Sequence, residues 1–297
     1  MFSKKNKRII SYVIVGLMAF GLVGGLAMDW IGSLTSKPAV QHSHSSGPLQ
    51  GEYTVHFIDI GQGDSALIQQ GNVNILIDAG PGTGEKQLID YLHSKNIKTI
   101  DLCVVTHPHE DHMGGMDKVI DTFDVKEVYM TDVEASSKAY SNLLEAIAKN
   151  NVKVTKAKFP NELKVGEITL TQLSDTDKYE ETNDTSIALR AEYKGTHILL
   201  TGDIEKDVEH DIVSSGQDIK ADILKVGHHG SYSSSTHAFV KKIAPTWAVI
   251  SCATGNTYGH PHKETLKTLE DLHIQILRTD IDGNIVFDYQ DGKLVQQ

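Results

Sequence analysis

The stretch Thr106-His107-Pro108-His109-Glu110-Asp111-His112 follows directly on the apolar run Leu102–Val105. A strand that ends in such a cluster holds its side chains on a rigid sheet edge. The first two histidines can turn toward one point, and the aspartate and the last histidine toward a second. Imidazoles with a carboxylate suit a borderline divalent ion, zinc first, with manganese or iron as alternatives. The expected ligands in this stretch are His107, His109, Asp111 and His112.

Three further segments share the pattern of a known family. They are residues 57–66 (FIDIGQGDSA), 224–231 (LKVGHHGS) and 256–262 (NTYGHPH). With the histidine cluster, they resemble the metallo-β-lactamase superfamily, and within it the hydrolase domain at the C-terminus of ComEC-type competence proteins. The resemblance runs from about residue 52 to about residue 287. It implies an α/β fold, a four-layer αβ/βα sandwich with the site at the sheet edges.

The resemblance implies two more ligands. In the superfamily an aspartate bridges two metal ions, and Asp203 in the T-G-D segment after an apolar strand pattern matches it. One carboxylate can place an oxygen on each ion. The pair His228-His229 also follows a strand pattern, and adjacent side chains on extended backbone point to opposite sides. We therefore expect only His228 to bind metal, with His229 as an orienting or substrate-contacting residue.

One ligand position departs from the lactamase pattern, which places a histidine between the first cluster and the bridging aspartate. The only histidine in that interval, His197, lies inside a strand pattern. At the expected place stand residues 183–186 (NDTS), as in ComEC-type domains. Asp184 is therefore the expected ligand, and its oxygen would shift the preference from zinc toward manganese. The alternative is a structural turn made by Asp184.

Other acidic residues are expected to support the ligands. Asp78 ends an apolar strand pattern, and the resemblance implies that it orients a ligand rather than binding metal. Asp59 and Asp64 flank the glycine-rich turn at residues 61–63, which would let backbone approach the site. A purely structural turn is an equally good interpretation of these two aspartates.

The segment 256–262 supplies candidates for proton transfer. Imidazole titrates near neutral pH, so His260 or His262 could protonate a leaving oxygen or hold a phosphate. Tyr258 would contact the substrate, and Asp111 counts as a catalytic residue as well as a ligand. Alternatively, His262 caps the helix predicted to begin at Lys263.

The N-terminus predicts a membrane segment. Four basic residues precede the apolar run at residues 9–28, which is long enough to cross a hydrocarbon core of about 30 Å. We expect a single-pass anchor at residues 1–32, a flexible linker at 33–51, and a hydrolase domain at 52–297 outside the cytoplasmic membrane. The alternative is a cleaved signal peptide and secretion, although the run exceeds a usual signal core and no small-x-small site follows it.

The net negative charge of the chain limits the kinds of molecule that it can bind by electrostatic attraction. The chain has a net charge of −11; its first 50 residues hold five Lys/Arg and one Asp, which leaves 23 Lys/Arg and 38 Asp/Glu, or −15, for the rest. This charge argues against a broad electrostatic surface for nucleic acid. It leaves open a narrow groove whose charge the metal ions reverse.

Together these features predict a metal-dependent hydrolase in which a hydroxide shared by two divalent ions attacks an ester. The ComEC resemblance implies a phosphodiesterase or nuclease, with a nucleic acid as substrate. It also leads us to expect a stand-alone hydrolase, because the chain carries no multi-helix channel. The alternative, favoured by the acidic charge, is a small-molecule or cell-wall ester hydrolase such as a phosphocholine esterase or a lactonase. A membrane-tethered binding protein with a decayed site is disfavoured by the complete ligand set.

Hydrophobic patterns predict alternating strands and helices. Helices are expected near residues 86–95, 115–122, 137–150, 205–214, 237–242 and 263–272. Strands are expected near residues 53–59, 66–69, 74–77, 102–105, 127–130, 168–173, 187–193, 197–200, 223–226, 247–251, 275–278 and 285–288.

Overall fold

The computed structural model describes residues 53–297. The expected anchor at residues 1–32 and linker at 33–51 lie outside this range, so both stay predictions. Within the described range, no helix has the length and hydropathy that a membrane span requires.

The described residues form seventeen strands and eight α-helices. The strands are β1 (Tyr53–Phe57), β2 (Ala66–Gln70), β3 (Val73–Ile77), β4 (Thr99–Ile100), β5 (Leu102–Val105), β6 (Asp124–Val125), β7 (Glu127–Met130), β8 (Lys153–Lys156), β9 (Glu162–Val165), β10 (Ile168–Gln172), β11 (Leu189–Tyr193), β12 (Thr196–Leu200), β13 (Ile223–Lys225), β14 (Trp247–Ile250), β15 (Gln275–Arg278), β16 (Ile285–Gln290) and β17 (Lys293–Gln296). The helices are α1 (Glu85–Ser94), α2 (Glu110–Met113), α3 (Met116–Thr122), α4 (Lys138–Lys149), α5 (Lys206–Ser214), α6 (His237–Ile243), α7 (Lys263–Asp271) and α8 (Thr279–Asp282). Three short 3₁₀ segments occur at Gly82–Gly84, Asn183–Thr185 and Gly227–Gly230.

Two mixed sheets carry most of the strands. The first has the order β17-β16-β1-β2-β3-β5-β7-β8, and the second β15-β14-β13-β12-β11-β10-β9; β4 and β6 form a separate pair. In each large sheet one half is antiparallel, and the other half, β3-β5-β7-β8 or β12-β13-β14-β15, is parallel. Parallel neighbours need crossover connections, which places helices on the outer faces.

Three apolar cores confirm the four-layer αβ/βα sandwich. The central core lies between the sheets and includes Phe57, Val104 and Ile198. One outer core packs helices α1, α3 and α4 on the first sheet, and the other packs α5, α6 and α7 on the second. Strands β3 and β5 are buried along their whole length, which explains why they read as continuous apolar runs. Both cysteines, Cys103 and Cys252, are free and buried, as their strand patterns indicate.

The carboxyl ends of several strands meet at one edge of the sandwich. Asp78 follows β3, the histidine cluster follows β5, and Asp203 follows β12. The turn Gly227–Gly230 comes just after β13, and Ser251 just after β14. The fold therefore collects the polar residues that the sequence places directly after its apolar runs.

Candidate metal centre

Four side chains converge at this edge. Asp111, His112, Asp203 and His229 each offer one ligand atom, and these atoms all lie within 4.8 Å of one another. Nε2 of His112 is 3.2 Å from Oδ2 of Asp203. Nε2 of His229 is 3.3 Å from Oδ2 of Asp111 and 3.6 Å from Oδ2 of Asp203. We call this group site A; two imidazoles and two carboxylates are a donor set that zinc and manganese accept.

The hydrogen bonding of site A fits a metal ion. Nε2 of His112, Nε2 of His229 and Oδ1 of Asp203 are all buried, and none makes a hydrogen bond within the described part of the chain. Buried polar atoms are normally hydrogen-bonded, and an ion is one of the explanations when several are not. The presence of three such atoms in one group therefore supports their role as ligands of a cation.

The opposite ring nitrogens of these histidines are held by the protein. Nδ1 of His112 donates to Oδ2 of Asp78 over 2.7 Å, the contact that an orienting role for Asp78 requires. Thr106 holds Asp78 in turn, through its N–H and its hydroxyl. Nδ1 of His229 donates to the carbonyl of Ser251 over 3.0 Å. These partners leave each Nε2 lone pair free to face an ion, as in other protein metal sites.

A second group lies beside site A and shares Asp203 with it. Nε2 of His107 is 3.0 Å from Nδ1 of His109 and 4.0 Å from Oδ2 of Asp203. The Ser186 hydroxyl accepts the Asp203 N–H and hydrogen-bonds Nδ1 of His107, both over 3.1 Å. We call His107, His109 and Asp203 site B. Sequence reasoning missed Ser186, although it stands at the end of the NDTS segment where an orienting partner is needed.

The pair His228-His229 does not follow the sequence expectation. Both residues have left-handed backbone, with φ of 47° and 52°, so the extended geometry assumed for them is absent. His229 joins site A, whereas Nε2 of His228 lies 3.8 Å from Oδ2 of Asp203 and its Nδ1 lies 3.2 Å from Glu205. The geometry therefore reverses the expected assignment: His229 is the better ligand, and His228 borders the cleft.

Asp184 lies outside both sites. Its Oδ1 accepts the N–H of Glu205 over 2.8 Å. It does not belong to the group of four ligand residues in site A, and it does not line the cleft above the two sites. The geometry thus favours the structural alternative, in which Asp184 fixes the chain just after Asp203.

Asp64 and Lys225 form a buried ion pair behind site A. Nζ of Lys225 is 2.8 Å from Oδ2 of Asp64, and Oδ1 of Asp64 is 3.4 Å from Nδ1 of His229. Burial by itself would raise the pKa of Asp64, but the Lys225 ammonium and the His229 imidazole outweigh it and hold that pKa well below its usual range. The side chain of Lys225 is buried, which nothing in its local sequence shows.

The glycine turn at residues 61–63 approaches site A. Oδ1 of Asp59 accepts the Gly61 N–H over 3.2 Å, a contact that belongs to the turn. The Asp64 N–H donates to the carbonyl of Asp111 over 3.0 Å. A Cβ on Gly63 would lie 2.3 Å from that same carbonyl oxygen, so only glycine fits there.

Acidic neighbours raise the pKa values of both histidines in site A, against the effect of burial. Burial would lower the pKa of His229, but Asp203 and Asp64 outweigh it and raise that pKa to about 10. Burial likewise opposes protonation of His112, yet Asp203 and Asp78 hold its pKa well above its usual value. The neighbouring carboxylates therefore favour protonation of both imidazoles, and a cation that binds at site A competes with protons for them.

An open cleft of about 340 Å³ covers both sites. The described residues that line it are polar or aromatic, and none of them is aliphatic: Gln62, His109, Glu110, Asp111, Asn183, Asp203, His228, His229, Tyr258 and His260. Burial, with the neighbouring His229 and His228, lowers the pKa of His260 to about 4. His260 is thus neutral at pH 7, which disfavours proton donation from its imidazolium.

His262 does not cap its helix. It occupies the residue before α7, but its side chain makes no capping hydrogen bond. Instead its Nδ1 accepts the N–H of Tyr232 over 3.2 Å.

Comparison with known proteins agrees with this geometry. The metallo-β-lactamase superfamily model matches residues 58–254. The chain is 34% identical over 264 residues to ComE operon protein 3 of Bacillus subtilis (strain 168), covering 82% of this chain and 34% of that protein. It is 26% identical over 244 residues to Competence protein ComA of Neisseria gonorrhoeae, covering 80% and 32%. The chain thus spans about a third of the length of these relatives.

A solved structure shares the fold. The metallo-β-lactamase fold protein YhfI from Bacillus subtilis aligns with a TM-score of 0.56 at 14% identity, over 80% of this chain and 100% of that chain.

Proposed function

We propose that this chain, a metallo-hydrolase that belongs to the metallo-β-lactamase superfamily, hydrolyses phosphodiesters at a centre of two divalent metal ions. The observation that carries the proposal is site A, whose buried ligand atoms lack protein partners, with the two histidines of site B beside the Asp203 that both sites share. Zinc suits the imidazole-rich donor set, and manganese is the second choice.

The protein would hold the two ions in position and provide the cleft in which the substrate binds. When bound, two ions would activate water and stabilise the charge on the attacking and leaving oxygens. Asp203 lies between the two sites, so its carboxylate is the group placed to hold both ions. His228 and His260 line the same cleft and are placed to hydrogen-bond a phosphoryl oxygen or the leaving group.

The phosphodiester preference has two supports. Relatives of the chain include a competence protein, although the chain covers only about a third of it. The cleft lining contains polar and aromatic side chains only, which suits a polar substrate better than an acyl chain. A phosphocholine esterase or lactonase remains the alternative that the acidic charge favours.

The substrate class can be tested with the full chain purified in mild detergent and loaded with Mn²⁺ or Zn²⁺. We expect cleavage of single-stranded DNA and of bis(4-nitrophenyl) phosphate. We expect Asp203→Asn to lose both activities, because it removes a charge from both sites. Turnover of a phosphocholine ester or a lactone, without cleavage of either phosphodiester, would instead establish the alternative.

We further propose that the hydrolase domain acts outside the cytoplasmic membrane, held there by residues 1–32. The basic residues before the apolar run support this orientation. Protease added to intact protoplasts should remove the domain. A protected domain, or its complete release into the medium as a processed form, would contradict an exported and anchored enzyme.

A further inference from the structure

Four rings form a continuous row at the mouth of the cleft. Tyr258 stacks on His260 at a centroid distance of 5.6 Å, His260 meets His262 at 4.9 Å, and His262 meets Tyr232 at 5.0 Å. The row begins in the cleft lining at Tyr258 and His260 and ends at Tyr232, which is not part of that lining. We call these four residues the ring row.

The two tyrosines of the row are unusually exposed. Tyr258 is 64% and Tyr232 70% exposed, whereas large aromatic side chains normally bury most of their surface. Among the described residues, the other exposed large aromatic is Phe159, at 37%. Among the tyrosine, phenylalanine and tryptophan rings of the described chain, the two most exposed thus belong to the ring row.

The backbone beneath the row is held in place. The side-chain oxygen of Asn256 accepts the N–H groups of Tyr258 and His260, and its amide nitrogen donates to the His260 carbonyl. The N–H of Tyr232 donates to the His262 ring. A rigid backbone that presents exposed rings lowers the ordering cost of stacking a ligand on them.

We propose that the ring row is a stacking subsite for the unpaired bases of a nucleic-acid strand whose phosphodiester lies at the metal sites. The inference rests on the proposed phosphodiesterase function and adds to it the residues that would hold the bases of the substrate. Tyr258 would stack on the base nearest the cleft, and Tyr232 on a base farther along the strand. Both are specificity-determining residues in this scheme.

Three observations favour bases over other occupants. A row of rings suits a ligand that carries several flat rings in sequence, as a single strand does. The cleft offers no aliphatic wall for a lipid or acyl group. The domain beyond residue 50 carries a net charge of −15, so a broad electrostatic surface cannot supply the affinity for a strand, and stacking would add to what the metal ions contribute at the phosphodiester.

A pair of strands that differ only in their bases tests the proposal. One is a short single-stranded DNA and the other an abasic strand of the same length, both with phosphorothioate linkages to slow cleavage. Binding to the full-length, Mn²⁺-loaded chain is measured by fluorescence anisotropy. We expect the parent to prefer the base-bearing strand. Tyr232→Ala and Tyr258→Ala should each reduce that preference roughly 5- to 160-fold, the range for loss of one base–aromatic stack.

Two controls separate stacking from other effects. Tyr232→Trp and Tyr258→Trp should retain the preference, because they keep a ring. Phe159→Ala removes an exposed ring away from the cleft lining and should leave the preference as in the parent. Equal affinity of the parent for both strands, including no binding to either, would overturn the proposal. So would tyrosine variants that keep the parent's preference.

Failure of the proposed function gives a different pattern. A chain that prefers the base-bearing strand but cleaves neither DNA nor bis(4-nitrophenyl) phosphate would refute the phosphodiesterase and support the stacking subsite. A chain that cleaves both substrates without any base preference would support the phosphodiesterase and refute the stacking subsite.

Discussion

The two ring nitrogens of His229 have different roles. The hydrogen-bond partner of Nδ1 determines that Nε2 faces site A. Nδ1 of His229 donates a hydrogen bond to the Ser251 carbonyl, so Nε2 is the ring nitrogen that can bind an ion. Asp78 does the same for His112. Sequence can show that ligand-type residues follow a strand, but these partners come from strands far away in the chain. That is why the geometry favours His229, whereas the sequence favoured His228.

Metal content should separate the two neighbouring histidines. His229→Ala removes a site A ligand, so the loaded enzyme should lose about one equivalent of metal and most of its turnover. His228→Ala should retain metal more fully, because His228 lies outside the group of four. Elemental analysis of the reconstituted full chain measures both. His210→Ala, on the exposed face of α5, is the matched control. Greater metal loss from His228→Ala than from His229→Ala would restore the sequence assignment.

The Asp64–Lys225 pair should matter for stability. Asp64→Asn leaves the Lys225 ammonium buried without its counter-charge, which costs about 3–5 kcal/mol in comparable cases. The double variant Asp64→Leu/Lys225→Met removes both charges and should recover much of the loss. Urea unfolding at pH 7 measures each free energy of unfolding. If Asp64→Asn unfolds at the parental urea concentration, the pair contributes nothing measurable.

The same pair sets a pH dependence. The folded pKa of Asp64 is depressed, so its contribution is present above the unfolded value near pH 4. It is lost as the pH falls through the lower folded value. Relative to the uncharged double variant, the parent should therefore lose stability only under acidic conditions, which urea unfolding as a function of pH measures.

At the scale of elements, the spacing of hydrophobic residues along the chain was enough to predict the buried helices and strands. All six predicted helices occur as α1 and α3–α7, and all twelve predicted strands are present. The strands that were missed include β8, β9 and β17 at sheet edges, whose residues are mostly polar and exposed. An edge strand pairs on one side only, so its residues need no apolar pattern. The short helix α2 was missed because its four residues include two ligands, Asp111 and His112, and are too few to show a helical pattern.

The turn at residues 61–63 offers a matched pair of glycine variants. Both Gly61 and Gly63 have positive φ, so alanine strains the backbone by about 1–2 kcal/mol at either position. At Gly63 the new Cβ would also meet the Asp111 carbonyl at 2.3 Å, whereas at Gly61 nothing lies within 4 Å. Gly63→Ala should therefore cost about 1–3 kcal/mol more and weaken metal binding through Asp111.

Urea unfolding and a metal titration of the two variants measure these effects. Gly61→Ala is the control, since it shares the backbone strain without the contact. Equal metal affinity in the two variants would show that the turn does not position Asp111.

At the scale of the whole molecule, the metal sites join the two sheets. His107, His109, Asp111 and His112 follow β5 of the first sheet, whereas Asp203 and His229 follow β12 and β13 of the second. Sequence order hides this, because the two groups are about ninety residues apart. The superfamily resemblance could predict that residues of both sheets form the metal sites. The preference for His229 over His228, however, rests on the backbone conformation of the Gly227–Gly230 turn.

Because the ligands come from both sheets, metal binding should stabilise the whole domain as one unit. An ion that binds only the folded state adds about 2.7 kcal/mol at a free concentration one hundred times its Kd. The Tm of the full chain should thus fall after chelation and return on adding Zn²⁺ or Mn²⁺, and the gain should grow with metal concentration. Asp203→Asn, which weakens both sites, should show little gain, whereas His210→Ala should match the parent. A parent whose Tm is the same with and without metal would show that the ions do not hold the two sheets together.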